Sequence, residues 1–400
     1  MIGPTSRFFV VLLGSLMMVN VLSIDAMLPA LPALGAALRA TPDQVQLTLS
    51  LYLVGYAVGQ FAAGPMSDRF GRRPVLITGL IVYSLASLAC AASRQIDVLV
   101  MARMVQGIAA CGGPVIVRAI VRDHYSGARA AQTLSLLTTV FAVGPLAAPF
   151  IGGALLVRFG WPSIFIFIAM TAGALVTAAW LGLAESLKER DGNALKRERL
   201  WTNVRTFATT RASIGFAVVN GLCWVGIFAF ISASPFVFIT FYGVAPNHYG
   251  YYFGLSAVML VCGATTNRHL LRRFPSERVM GWGFCVLILG GILVTLAPLS
   301  RWSGPAAVMG GVMVYMFGQT LVQPNAVATA LDPLRHMAGM GSALIGIIQM
   351  LLGAVGGYAV NRLYTGTPVP MGAVILGAAL SCSALYLVLL RHLRTARREA

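Results

Sequence analysis

Between short clusters of charge, the chain repeatedly runs for roughly 20 residues without a charged side chain, the length that crosses a bilayer as a helix. In hydrocarbon every backbone N–H and C=O must be satisfied within the protein, which leaves helices as the economical solution. Composition agrees: hydrophobic residues are 58% of the chain, charged residues 10%, and the mean hydropathy is +0.81. Soluble domains are typically about a quarter charged. Charge clusters and turn signals predict twelve spans, at 8–36, 44–64, 74–93, 96–117, 130–156, 162–184, 212–242, 248–267, 277–298, 304–328, 338–361 and 369–390.

Lysine and arginine sort sharply under that division. With a cytoplasmic N-terminus, 23 of them fall in cytoplasmic segments and five on the opposite side, namely Arg39, Arg94, Arg158, Arg301 and Arg362. The positive-inside rule then puts both termini in the cytoplasm. The same asymmetry accounts for the net charge of +17, because basic loops face anionic headgroups. No basic segment is interleaved with base-stacking aromatics, so nucleic acid is not an expected partner. The first apolar run mimics a cleavable signal peptide, but its length and Asp25 within it make an uncleaved span 1 the expectation.

The chain also repeats itself. Gly64-Pro65-Met66-Ser67-Asp68-Arg69 is echoed by Gly263-Ala264-Thr265-Thr266-Asn267-Arg268, and Gly152-Gly153 by Gly356-Gly357, each near half the chain length apart. Duplication of a six-span unit follows. The expected organisation is an all-α membrane protein with six-helix bundles at 1–184 and 212–390. A cytoplasmic linker at 185–211 joins them, and 391–400 forms a basic tail.

These residues resemble a family. The loop Gly64-Pro65-Met66-Ser67-Asp68-Arg69-Phe70-Gly71-Arg72-Arg73-Pro74 is similar to the signature between spans 2 and 3 of the major facilitator superfamily. Arg103-x-x-Gln106-Gly107 resembles the span 4 signature of its proton-coupled members, and Gly144-Pro145 with Gly152-Gly153 the span 5 signature of its antiporters. Ser23-x-Asp25, then Leu28-Pro29-Ala30-Leu31-Pro32, with Arg118-Ala119-x-x-Arg122-Asp123, resembles the bicyclomycin/chloramphenicol-resistance branch of drug:proton antiporters. Where that branch has Met-Tyr after the span 1 acid, Ala26-Met27 stand here, replacing an aromatic wall with a flexible thioether. The resemblance implies the major facilitator fold, drug export in exchange for protons, a bacterial inner membrane setting and a monomer.

Asp25 is the one acidic residue well inside a span, and such residues face an interior or a water-filled cavity. A carboxylate that is alternately hydrated and desolvated changes its proton affinity between the two settings. Because the five histidines fall in loops or at span ends, Asp25 is the candidate proton carrier. The plainer readings are a cap for the helix break before Pro29 or a permanent pair with Arg103. Arg103 lies about two turns in from the outer end of span 4, at a depth comparable with Asp25. Gln106, on the same face at i+3, extends a polar stripe inward, while snorkelling to the headgroups is the plain alternative for Arg103.

In the loop of residues 64 to 74, Gly64-Pro65 is expected to end span 2 and Gly71 to permit a tight turn. Asp68, Arg69 and Arg72 can pair with one another and with Asp123, Arg118 standing nearby; the resemblance makes this a latch of the outward-facing state. Gly144, Pro145, Pro149, Gly152 and Gly153 favour close packing and a bend in span 5. For substrate, the candidates are Asp25, Met27, Gln106, Asn220, Trp224, Phe228, Phe236, Tyr315, Gln319 and Gln323, with Tyr52, Tyr56 and Met350 lining the facing half. Aromatics and Met with few polar groups suit small amphipathic, drug-like molecules.

The six cysteines lie within spans without a Cys-x-x-Cys motif and read as small apolar residues, with no metal indicated. No P-loop is present and no Ser/His, His/Asp or metal cluster, so neither an enzyme nor a bound cofactor is expected beyond the proton as coupling ion. The alternatives are a proton-coupled metabolite or sugar carrier and a non-transporting membrane receptor or assembly protein.

Overall fold

The computed structural model describes residues 6–125, 127–299 and 304–399. Arg301 lies outside them, and the side chains of Arg7, Arg335, His336 and the basic tail are likewise outside the described set. The fold is all-α. Its helices are α1 (Arg7–Asp25), α2 (Leu31–Leu38), α3 (Pro42–Phe70), α4 (Arg72–Ala92), α5 (Ile96–Ala110), α6 (Gly112–His124), α7 (Gly127–Phe159) and α8 (Pro162–Gly182). They continue as α9 (Arg197–Thr209), α10 (Arg211–Pro235), α11 (Tyr249–Leu270), α12 (Ser276–Leu296), α13 (Pro305–Leu331), α14 (Ala338–Arg362) and α15 (Val369–Glu399). Among the described residues ten helical stretches are long and apolar enough to cross a membrane. The chain divides into two compact units, residues 1–201 with 245–253, and residues 202–244 with 254–400.

Two expectations about local structure need correcting. Span 2 does not end at Gly64-Pro65: α3 continues to Phe70. The hydroxyl of Ser67 donates to the Gly64 carbonyl at 2.8 Å, and the turn is made instead at Gly71, whose φ of 107° suits a residue without Cβ. Met350 does not belong with Tyr52 and Tyr56, since it lies on α14 of the second unit.

Span 1 is interrupted right after Asp25. Pro29 and Pro32 have no N–H to return to the carbonyls of Asp25 and Leu28. The chain therefore passes through a 3₁₀ turn at Leu28–Ala30 before α2 begins. Helix α7 closes on that break, because Gly152 is so near that a Cβ there would sit 1.8 Å from the Ala26 carbonyl oxygen. Gly153 makes a similar approach to the Pro246 carbonyl, and Gly144 packs on Val21. Pro145 and Pro149 lie in the interior of the same helix.

Glycines also draw α3 and α5 together. A Cβ at Gly55 would meet the Met104 carbonyl at 2.2 Å, one at Gly59 the Ile108 carbonyl at 2.2 Å, and one at Gly107 the Tyr52 carbonyl at 2.1 Å. The matching order of Thr48 with Arg103, Gly55 with Met104 and Gly59 with Ile108 makes the two helices parallel. In the second unit, α12 and α13 run antiparallel through Gly290 with Tyr315 and Gly318 with Leu287. Helices α10 and α14 run parallel through Gly221 with Ile348 and Val225 with Gly356. All six cysteines are free thiols, and Cys223 and Cys382 lie 3.4 Å apart between α10 and α15.

Because a backbone cannot yield as a side-chain tip can, Gly107→Ala is expected to destabilise the first unit by about 1–3 kcal/mol. Gly173→Ala, with nothing within 4 Å of its Cβ, should be neutral. Thermal melts of the purified variants in detergent check this, and equal midpoints would contradict the close crossing.

Candidate functional site

Asp25 closes α1 at the helix break and is buried, with 6% of its surface exposed. Among the described residues it makes no ion pair and no hydrogen bond. The expected pair with Arg103 is absent from this structure. Nor does Arg103 snorkel: its side chain is wholly buried in the first unit.

Arg103 is held by groups other than a carboxylate. Its guanidinium carbon stands 4.2 Å from the Tyr52 ring centroid and 5.9 Å from that of Phe165. Nε donates to the Thr48 carbonyl at 3.4 Å and Nη1 to Gln106 Oε1, while Nη2 has no protein partner. Each cation–π contact contributes roughly 0.5–2 kcal/mol when desolvated. The close α3/α5 crossing makes this seat, since Gly107 and Tyr52 meet one turn away from Arg103.

From there two arms reach α1. Tyr52 donates its hydroxyl to Asn20 Oδ1 at 2.8 Å. On the other side, Gln106 Nε2 donates to Ser87 Oγ at 2.7 Å and Ser87 donates to the Tyr83 carbonyl at 2.7 Å. The Tyr83 hydroxyl donates to the Val19 carbonyl at 3.0 Å and lies 2.5 Å from Ser23 Oγ. Asn20 and Ser23 share a face of the last turns of α1, two to five residues before Asp25. Sequence reading assigned no role to Asn20, Tyr83 or Ser87. Their polarity within apolar spans was the available signal, but their pairing spans four helices.

At the other end of α3, Arg72 joins the predicted acids. Its Nη1 pairs with Asp68 and donates to Ser67 Oγ at 2.7 Å, and its Nε pairs with Asp123 at 3.1 Å. Asp123 also accepts from Ser186 Oγ at 2.8 Å. Glu185, which sequence reading left in the linker, accepts the backbone N–H groups of Arg72 and Arg73 at 3.0 and 3.2 Å. A carboxylate there satisfies orphan donors at the N-terminus of α4 and complements its dipole. Arg69 and Arg118 stand apart from the acids: Arg69 lies over Phe70, and Arg118 Nε donates to the Pro114 carbonyl. Gly64 has no neighbour closer than 4.0 Å to a built Cβ. Beyond the loop, Asp191 N–H donates to the Asp68 carbonyl, and the Asn193 N–H and then Arg199 hold the Asp191 carboxyl below the usual carboxylate range.

Among the substrate candidates of the first unit, Met27, Tyr52 and Tyr56 are buried. In the second unit, Tyr315 is committed to packing: its hydroxyl donates to the Cys223 carbonyl at 3.0 Å and its ring fills the space beside Gly226. Phe236 is buried against Tyr364, and Met350 is buried on α14. Asn220 Nδ2 donates to Gln349 Oε1 at 3.2 Å, Gln319 Nε2 to Gln323 Oε1 at 2.8 Å, and the Trp224 and Phe228 rings lie 5.6 Å apart. Gln349, next to the candidate Met350, was not identified from the sequence.

Among the described residues, Arg72 alone bridges Asp68 and Asp123. Arg72→Ala should cost about 1–3 kcal/mol by stranding partly buried carboxylates. Arg72→Lys should recover only part of this, since an ammonium cannot fork between two acids. Detergent melts would show the ranking wild type, Lys, Ala, and an alanine variant as stable as wild type would contradict the bridge.

The family model described as Major Facilitator Superfamily matches residues 13–357. A Bacillus subtilis (strain 168) protein named "Uncharacterized MFS-type transporter YdgK" is 34% identical over 378 residues, covering 92% of each chain. A "Bicyclomycin resistance protein homolog" of Haemophilus influenzae is 29% identical over 97% of each chain. Among solved structures, a bacterial homolog to the human lysosomal transporter Spinster, in an inward-facing and unoccupied conformation, superposes with a TM-score of 0.75. It is 15% identical and covers 97% of this chain and 98% of its own, a likeness of fold. The resistance-protein likeness matches the branch that the span 1 motif suggested, and the chain belongs to the Major Facilitator Superfamily of membrane transporters.

Proposed function

We propose that this transporter is a proton-coupled multidrug efflux antiporter that exports small amphipathic compounds by alternating access, with the proton as coupling ion. The proposal takes twelve spans with both termini in the cytoplasm, a bacterial inner membrane setting and a monomeric working unit. The observation that carries it is Asp25: a buried carboxylate at a helix break, paired with no described side chain. A structural ion pair would have been satisfied, whereas a group that must gain and lose a proton cannot be permanently neutralised.

Protonated, Asp25 is neutral and tolerates closure around it; ionised, it requires water or a cation beside it. Drug and proton therefore compete for one state of the site. Arg103 is permanently charged and supplies a standing positive potential within the same unit. Its two arms grip α1 at Asn20 and Ser23, so that a rearrangement at Asp25 is transmitted through α1 to a network of hydrogen bonds. The Arg72 cluster is assigned the role of latch at the cytoplasmic end. The similarity to a bicyclomycin resistance protein homolog supports the direction and the kind of cargo.

Asp25→Asn keeps the shape and removes the titration. Reconstituted in proteoliposomes under an imposed pH gradient, it should lose driven chloramphenicol transport. The wild-type protein should bind chloramphenicol more weakly as pH falls, and the variant's binding should be flat with pH. Undiminished gradient-driven transport by the variant would overturn the assignment.

A further inference from the structure

The buried charged side chains Asp25, Arg72 and Arg103 all belong to the first unit; among the described residues of the second, every buried polar side chain is neutral. Six side-chain atoms of that unit have no protein partner among the described residues: Ser213 Oγ, Asn220 Oδ1, Trp224 Nε1, the Tyr242 hydroxyl, Gln319 Oε1 and Asn361 Oδ1. Three of them, Asn220 Oδ1, Trp224 Nε1 and Gln319 Oε1, flank the Tyr315 contact between α10 and α13. Asn220 is 0% and Gln319 2% exposed, so bulk water does not explain them. An unmet buried polar atom carries an uncompensated desolvation cost, which makes three in one region a demand that a ligand can meet.

The helix directions bring these atoms to one level. Helix α15 is antiparallel to α10, through Cys382 with Cys223 and Leu389 with Gly215. It is also antiparallel to α12, through Leu376 with Gly291 and Gly372 with Thr295. Helix α10 is therefore parallel to α12, and α13, antiparallel to α12, is antiparallel to α10. Tyr315 meets α10 at Cys223 and Gly226. One turn further along α13, on the same face, Gln319 comes level with Asn220. Trp224 lies one turn from Asn220 on α10, and Gln349 reaches Asn220 from α14. The two amide pairs, Asn220 with Gln349 and Gln319 with Gln323, each use one donor internally and leave one carbonyl oxygen over. The adjacent, mutually tilted rings of Trp224 and Phe228 provide an apolar wall beside them.

We infer that Asn220, Gln319 and Trp224 form a specificity-determining hydrogen-bonding site in the second unit. It takes the uncharged O–H or N–H groups of a ligand on the two carbonyls and an acceptor on the indole N–H. This deepens the proposed transport of small amphipathic compounds and rests on it for the kind of ligand, but not on proton coupling. The site distinguishes compounds by their donors, because a ligand without them leaves the carbonyls desolvated and unmet.

The test is equilibrium binding to the purified full-length protein at one pH and without a gradient. The probes are chloramphenicol and its diacetyl ester, in which both hydroxyl donors are capped. Wild type should prefer chloramphenicol by about five- to tenfold, the effect of one hydrogen bond. Gln319→Met, of similar volume and without the carbonyl, should abolish that preference, because the Asn220 carbonyl is met in both probes by the amide N–H that acetylation leaves free. Trp224→Phe should weaken both probes alike while keeping it, since the indole donates. A preference that persists in Gln319→Met would mean that the ester is rejected for its size, and overturns the inference. So does equal loss of both probes in that variant, or a wild-type protein that binds the two equally or binds neither. A protein that shows the expected pattern but does not move chloramphenicol against a proton gradient would refute the antiport reading and uphold this one.

Discussion

A permanent cation with no exposed surface is costly inside a membrane-spanning unit unless its charge and its hydrogens find partners, and the interior of the first unit is arranged around that demand. Arg103 has no carboxylate. It is accommodated by the Tyr52 and Phe165 rings, the Thr48 carbonyl and the Gln106 amide. That seat exists because Gly55, Gly59 and Gly107 allow the α3 and α5 backbones to touch. The same geometry extends through Tyr52 to Asn20 and through Gln106, Ser87 and Tyr83 to Ser23, gripping the last turns of α1 from two sides. The helix break beside Asp25 is thus held from below by hydrogen bonds and from the side by Gly152 of α7.

The two units divide the chemistry. The first holds the buried charges, and the second offers amides and rings. A charge is suited to coupling, since its protonation state changes its hydration by many kcal/mol. Neutral amides are suited to discrimination, because they cost little when satisfied and penalise a ligand that leaves them unmet. The second-unit echo of the 64–74 loop shows the same bias: Asn267 stands where the first unit has Asp68. It accepts a hydrogen bond from Asn325 at 2.9 Å in place of an ion pair.

The Arg72 cluster shows how an outlying segment completes a loop. Arg72 bridges two acids, but the N-terminus of α4 that carries it is finished by Glu185, over a hundred residues away. The start of the linker therefore belongs physically to the first unit, tied to it by Glu185, Ser186 and Asp191.

Much of the architecture was legible without coordinates, because hydrocarbon imposes its own grammar. Apolar runs of fixed length, basic loops and a lone intramembrane acid are local features of the chain. They marked the spans, Asp25, Arg103 and the Asp68, Arg72 and Asp123 cluster. What they could not decide is who meets whom. Arg103 is partnered by aromatic faces and an amide instead of Asp25, Arg69 and Arg118 stand aside from the acids, and Tyr315 turns its hydroxyl to a backbone carbonyl. Each outcome depends on side chains from different helices arriving at one depth and one rotation. The pattern of a single span carries its length and its polar face, while the partner on that face is set only when the helices pack.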